Sequence, residues 1–337
     1  MTRPILFAAM LAAGLTATAA APLEAQRSHI VWSDDDRSII AVLDGSVQFT
    51  DDDADVASLG RGSSLVVEEH RRGGPVRHIE FREQGGTVTR RYTVDGVLRD
   101  DDTDRTAWLA RMLPEIVREH GFNASERVAR ILRTRGPAGV LAEIRRIRSD
   151  GVKRTYLQVL ARTAELTPEQ VAEAARVTGE SIGSDGDRHS VLMVLLPQGR
   201  ADPAALVEIV RAAGRIGSDG DKSRVLIAAA GAPALDAPAV RDAWFRAAGT
   251  IGSDGDRTRT LLAVLRRNAP GADVSVAALR SARGIGSDGD RTRVLLAIDP
   301  ARLRDARVAE AYDAALEGIS SDGDHRRAEQ HARAARR

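Results

Sequence analysis

A six-residue phrase, Ile-Gly-Ser-Asp-Gly-Asp, returns every 34–35 residues through the C-terminal half of the chain. Its anchoring isoleucines are Ile147, Ile182, Ile216, Ile251, Ile285 and Ile319, spaced by 35, 34, 35, 34 and 34 residues. The four inner copies keep the phrase intact. The first reads Ile147-Arg148-Ser149-Asp150-Gly151-Val152, and the last reads Ile319-Ser320-Ser321-Asp322-Gly323-Asp324. So regular a period restricts the chain to a stacked array in which each copy covers its apolar side with its neighbours. Altered outer copies are what the capping of such an array requires.

Each copy reads as two helices. Val240, Trp244, Ala247 and Ile251 follow one another at helical spacing, as do Val308, Tyr312, Ala315 and Ile319, so the helix before each phrase has one apolar face. Thr167-Pro168, Asp202-Pro203 and Asp236 before Pro238 have the form of N-caps with proline in the first turn. Gly183, Gly217, Gly252 and Gly286 then stand where a left-handed residue ends the helix. Ser184, Ser218, Ser253 and Ser287 are placed to cap the next one, with Asp187, Asp221, Asp256 and Asp290 three residues on in capping-box spacing. Acid–base pairs such as Asp254 with Arg257 and Asp256 with Arg259 stand at three-residue spacing. Leu261, Leu262, Val264 and Leu265 supply the second helix with its core face. The spacing predicts helix, one-residue turn, capped helix and a longer return loop.

Stacked copies would set these turns in a ridge along one edge. Its candidate binding residues are Asp185, Asp187, Asp219, Asp221, Asp254, Asp256, Arg257, Arg259, Asp288, Asp290, Arg291 and Arg293. Folding alone is the plain account of the phrase, and one detail resists it. The inner glycine, Gly255 in one copy, falls in the first turn of a helix, where glycine costs up to ~1 kcal/mol relative to alanine. Close approach of a neighbouring copy, or of a ligand, would explain it. Calcium is not expected, because the phrase lacks the third ligand and the terminal Glu of an EF-hand loop.

The phrase resembles helical repeats of the HEAT type, in which an Asp at the turn is followed by an Arg early in the second helix. The resemblance implies that Asp254 and Arg259, with their counterparts, fill those roles over residues 137–337. A second resemblance lies further upstream, in Gly45-Ser46-Val47-Gln48-Phe49-Thr50-Asp51-Asp52, Asp55-Val56 and Ser58-Leu59. This run is similar to the periplasmic extension of membrane zinc peptidases of the beta-lactam-sensor type. The chain lacks His-Glu-x-x-His, so the resemblance implies a sensing or docking module without peptidase activity.

Before the array the period changes. Residues 28–103 alternate short β-type runs (38–43, 47–50, 64–70, 76–83 and 87–94) with turn signals at Asp44-Gly45, Gly73-Gly74-Pro75, Gly85-Gly86 and Asp95-Gly96. Asp44-Gly45 has the form of a two-residue hairpin turn. The acidic triplets at 34–36, 51–53 and 100–102 fall at turns and are expected to be solvated. Residues 104–136 read as connecting helices, with Trp108, Leu109, Met112, Leu113 and Ile116 on one face, Asn123 with Glu126 as a capping box, and Gly136 as a stop. The expected fold is α+β: an N-terminal antiparallel β-meander followed by a right-handed α-solenoid of about six helical-hairpin repeats.

The first residues read as a secretory signal. Arg3 opens it, an apolar stretch runs over 5–15, and Ala17-Thr18-Ala19 or Ala19-Ala20-Ala21 offers a small-residue cleavage site, with cutting after Ala19 or after Ala25 because Pro22 disfavours a cut directly before it. No cysteine occurs, which removes disulfides, thiol catalysis and cysteine metal sites together. Basic and acidic residues number 49 and 48, so the basic excess of a nucleic-acid binder is missing. The seven histidines show no metal-ligand spacing except His325 and His331, and no Gly-x-Ser-x-Gly elbow or phosphate loop is present. A non-enzymatic, cofactor-free periplasmic or secreted binding module is expected, with another protein, periplasmic or membrane-bound, as partner. The alternative is a recognition module for a charged cell-envelope polymer. The mature chain should begin between residues 20 and 26, and intact-mass measurement on the periplasmic fraction checks this. An uncleaved Met1 in the membrane pellet would contradict it.

Overall fold

The computed structural model describes residues 27–100, 102–267 and 271–336; the expected signal at 1–21 lies outside them. Contacts divide the described residues into two units. One holds those up to Thr50 together with Val56–Arg105, and the other holds Asp51–Asp55 together with those from Thr106 onward. An N-terminal antiparallel sheet followed by 13 helices makes the fold α+β and is compatible with a helical repeat region.

In the first unit, strands β1 (Arg27–Ser33), β2 (Arg37–Asp44), β5 (Ser64–Arg71), β6 (Arg77–Gln84), β7 (Thr87–Val94) and β8 (Val97–Leu98) lie in that order in one sheet, each antiparallel to its neighbours. Strands β3 (Val47–Phe49) and β4 (Val56–Leu59) pair separately. Alternation puts Ile39, Ala41, Leu43, Leu65, Val67, Ile79, Phe81 and Tyr92 on a single buried face. Glu69 shares that face and is answered by Arg37 at 2.7 Å and Arg71 at 2.8 Å.

Asp44-Gly45 does not make the expected hairpin, since β2 pairs with β1 and β5 and not with β3. Gly45 has φ +92° and lies against Ser63; a Cβ there would fall 2.1 Å from the Ser63 hydroxyl oxygen. That oxygen accepts from the Ser46 amide at 3.0 Å. The contact with the start of β5 turns the chain out of the sheet before a two-residue hairpin can close.

The second unit begins in helix α1 (Asp102–His120) and continues through α2 (Ala124–Ile144), α3 (Asp150–Thr163), α4 (Pro168–Ser181), α5 (Asp185–Gly199), α6 (Pro203–Gly214) and α7 (Asp219–Ala230). Then come α8 (Pro238–Gly249), α9 (Asp254–Leu265), α10 (Ala272–Ala282), α11 (Asp288–Leu296), α12 (Ala306–Leu316) and α13 (Asp322–Arg336). Helices α4, α6, α8, α10 and α12 pack in sequence against one another, as do α3, α5, α7, α9, α11 and α13. One contiguous core runs from Ala124 to Ala332 and takes in all six anchoring isoleucines. Its largest members keep their polar ends bonded: Trp244 Nε1 donates to the Leu226 carbonyl at 2.9 Å, and the Tyr312 hydroxyl to that of Ala328 at 2.8 Å. No helix among the described residues is long and apolar enough to cross a membrane.

Local signals hold in part. Thr167 and Gln170 form a complete capping box and Asp202 caps α6, whereas Asp236 lies in a 3-10 turn and pairs with Arg267 at 3.0 Å. Asn123 is left-handed at φ 55° and makes no side-chain cap. Gly136, at φ 64°, does break the helical run, with Pro137 restarting it.

A buried charge cluster lies where the array begins. The Arg127 guanidinium donates to Asp53 at 2.7 Å, to the Tyr156 hydroxyl at 2.9 Å and to Glu143 at 2.9 Å, and Arg118 also donates to Glu143 at 2.7 Å. Burial alone would push the Glu143 carboxyl up; the bonds from Arg118 and Arg127 override it and hold the group down at about 2. A depressed carboxylate adds stability that is complete above its ordinary value of 4.5 and is lost as pH falls toward 2. Glu143→Ala takes from buried Arg127 one of its two carboxylates and from Arg118 its acid, and should destabilise the helical unit by about 3 kcal/mol. Denaturant unfolding at neutral pH checks the cost, and acid titration of the variant should lack this part of the pH dependence.

Candidate functional site

The turn ridge is built by the same few bonds in copy after copy. Ser184, Ser218, Ser253 and Ser287 have extended backbone and cap α5, α7, α9 and α11, each hydroxyl accepting from the amide of Asp187, Asp221, Asp256 or Asp290 at 3.3 Å. Only this half of the capping box forms, because the serine amide is used elsewhere.

It is bound to the preceding copy. Asp150 accepts from the amides of Gly183 and Ser184 at 2.8 and 2.9 Å, and Asp185 from those of Gly217 and Ser218 at 2.9 and 2.8 Å. Asp219 holds Gly252 and Ser253 at 3.0 and 2.8 Å, and Asp254 holds Gly286 and Ser287 at the same distances. Asp288 closes the series on Ser320 and Ser321 at 3.0 and 2.8 Å. Before the first phrase Glu119 takes over, accepting from the Arg148 amide at 3.0 Å. The first Asp of each of the first five phrases is therefore a bracket between copies. Burial pushes the Asp150 carboxyl up, but the Ser184 and Gly183 amides and Lys153 bring it below its usual value.

This bracket explains the first glycine of the phrase. Gly183, Gly217, Gly252 and Gly286 are not in the left-handed region expected of them. A Cβ at these positions would instead stand 3.2, 3.0, 3.3 and 3.2 Å from a carboxylate oxygen of the preceding copy's Asp. Ser320 makes the same amide bond with a side chain present, so glycine eases the approach without being obligatory.

The basic residue after the phrase is used in the same way. Lys153 donates to the Ser181 carbonyl at 2.5 Å, Arg188 to that of Arg215 at 2.7 Å, and Arg257 to that of Gly284 at 2.6 Å. Each reaches a carbonyl at or just past the C-terminal end of the next copy's first helix, where a cation is favoured. Arg257 and Arg291 also donate to their own anchor carbonyls, Ile251 at 2.9 Å and Ile285 at 3.1 Å. Asp254 and Arg257 are thus not a pair, since both serve backbone groups, whereas the same spacing does pair Asp150 with Lys153 and Asp185 with Arg188, both at 3.2 Å. Arg259 meets Asp256, the pair that three-residue spacing leads one to expect.

What remains on the surface is the second Asp with the arginine three residues later: Asp221 with Arg224, Asp256 with Arg259, Asp290 with Arg293 at 2.7 Å, and Asp324 with Arg327. In these pairs the acid side chain is 15–17% exposed and the arginine 63–68%, so the ridge offers guanidinium outward. Asp187 differs, taking Arg154 from the preceding copy at 2.7 Å. The inner glycines of all six phrases find open space; at Gly255 the nearest neighbour to an added methyl is the Arg259 guanidinium at 3.8 Å. No neighbouring copy presses on them.

Sequence reasoning missed Glu119, whose role shows only in three dimensions, and the Asp53–Arg127–Glu143 cluster. It also missed Gly284 and Gly318, over which the Arg257 and Arg291 guanidinium groups lie where a Cβ would be, 2.2 and 2.0 Å away. Glycine just before an anchor isoleucine was the available signal. Among the described residues no group of three or more His, Asp or Glu is placed to hold a metal ion. The chain matches no protein-family model, no curated protein and no solved structure. Neither resemblance has a relative behind it.

Two substitutions separate bracket from glycine. Asp219→Ala removes the acceptor for two amides and should lower stability by about 2–3 kcal/mol. Gly255→Ala should raise it by up to ~1 kcal/mol, since the methyl meets no crowding. Denaturant midpoints of the two variants against the parent check both signs.

Proposed function

We propose that this chain is an exported, non-enzymatic binding or scaffold module that presents its helical repeat surface to another protein, periplasmic or membrane-bound. The observation that carries this reading is how the phrase is used. Its first Asp and its basic residue bind backbone groups between copies, so the array is a braced platform whose free polar groups lie on its outer helix faces. Such stacking suits extended surfaces for macromolecules better than enclosed pockets for small ones. The proposal includes about six copies, a right-handed array of HEAT type, cleavage of the first 19–25 residues, and a place in envelope sensing by the second resemblance. Nucleic acid is not among the proposed partners, and no cofactor is invoked.

A second reading rests on one observation, the outward row of Arg224, Arg259, Arg293 and Arg327. A linear polyanion such as a charged cell-envelope polymer would fit it. Photo-crosslinking residues placed at exposed positions along the helices, in the exporting cell, test the choice. The same protein adduct from several positions is expected. Retention on peptidoglycan or lipopolysaccharide that salt abolishes, with no protein adduct, would overturn the protein reading in favour of the polymer.

A further inference from the structure

The outer faces of α4 and α6 carry a second charge ladder, and its interruption marks a place for a partner. On α4, Glu173 takes both Arg176 of its own helix and Arg145 from the end of α2. On α6, Glu208 takes Arg211 at 2.7 Å and stands 3.8 Å from Arg176. Each acid precedes its arginine by three residues, the spacing that brings side chains together on a helix. The next two helices keep the arginine and lose the acid: Arg246 of α8 follows Ala243, and Arg280 of α10 follows Ala277. Arg283 stands one turn beyond Arg280. None of these three arginines has an acid within ion-pair distance among the described residues.

Arg280 and Arg283 line a cleft of about 500 Å³ across α8, α10 and α12. Its apolar lining is of small side chains, Val276, Ala277, Ala311 and Ala314. The other cations there are already answered: Arg241 and Arg307 share Asp273 at 3.3 and 2.9 Å, and Asp242 stands 3.8 Å from Arg241. Glu310 also lines it, without an ion pair among the described residues. The cleft thus holds two guanidiniums in want of carboxylate against one free acid.

We infer that this cleft docks an acidic, extended segment of a partner protein, whose carboxylates meet Arg280 and Arg283 and whose small side chains rest on the apolar lining. This deepens the protein-binding reading and rests on it. The geometry suits alternating acids. Side chains three residues apart on a helix stand about 5–6 Å apart, and every second residue of a strand about 6.5–7 Å. Acids on alternate residues are thus spaced much as the roots of the two arginines are, and the uncharged residue between them turns away. A polymer with charge on every unit gains nothing from the apolar lining.

The test uses the mature chain with fluorescent Glu-Ala and Lys-Ala repeat peptides and dextran sulfate, read by anisotropy. Glu-Ala peptide should bind and Lys-Ala peptide should not. Arg280→Glu with Arg283→Glu should weaken Glu-Ala binding about tenfold or more, the loss of about 1.4 kcal/mol. Arg133→Glu with Arg162→Glu, exposed on α2 and α3 and in no ion pair among the described residues, should leave it unchanged, and thermal unfolding should show both variants folded. Glu-Ala binding that is absent, survives the Arg280 and Arg283 changes, or falls equally with the control changes overturns the cleft. So does dextran sulfate binding that depends on Arg280 and Arg283 while the peptide is ignored. Protein adducts that persist after such a failure leave the scaffold reading standing. Absence of adducts from every position fails the scaffold reading itself.

Discussion

The array depends on one bond, a carboxylate clasping two consecutive backbone amides in the next copy. Charge-assisted bonds of this kind are about twice as strong as neutral ones. Here they fall on the Gly and Ser amides that precede each second helix, the place where a helix leaves donors without partners. One group thus ends a first helix, begins a second, and fixes the distance between neighbours. The apolar stripes supply most of the stability. The clasp supplies register.

This division of labour bears on which parts of the phrase vary. The first Asp, the cap serine and the long basic residue are each committed to a backbone atom in fixed position, and the four inner copies share all three. Lys substitutes for Arg at 222 because a carbonyl and the Thr250 hydroxyl, at 3.4 and 2.8 Å, ask only for a cation. Gly284 and Gly318 follow from Arg257 and Arg291, whose planar groups need the space a Cβ would fill. The outer residues have no such duty, and there the copies diverge, as at Glu208 and its replacements Ala243 and Ala277.

Much of this was legible in the sequence, and the errors share a cause. Period, helix faces and caps at Thr167, Asp202 and the phrase serines are local properties, and local reasoning finds them. A glycine after a helix is usually left-handed; at these turns its reason is instead an Asp 32–33 residues upstream, outside any local window. Asp254 and Arg257 have the spacing of a pair, yet both are drawn away to other copies. Asp44-Gly45 looked like a hairpin until Ser63 claimed the approach. Buried Asp53 sat in an acidic run whose neighbours Asp51 and Asp52 are exposed, so nothing local marked it.

The clasp recognises main chain and nothing else. An aspartate that binds two peptide N–H groups does not ask which side chains the following copy bears, as Ser320 in place of glycine shows. At this joint adjacent units are interchangeable parts. Unequal exchange within the coding sequence can add or delete one, and the new neighbours meet through the same clasp, leaving only the seat of the long basic residue, glycine at 284 and 318 and threonine at 250, to be matched. The length of the surface, and so the size of what lies along it, can evolve independently of the chemistry displayed on each unit.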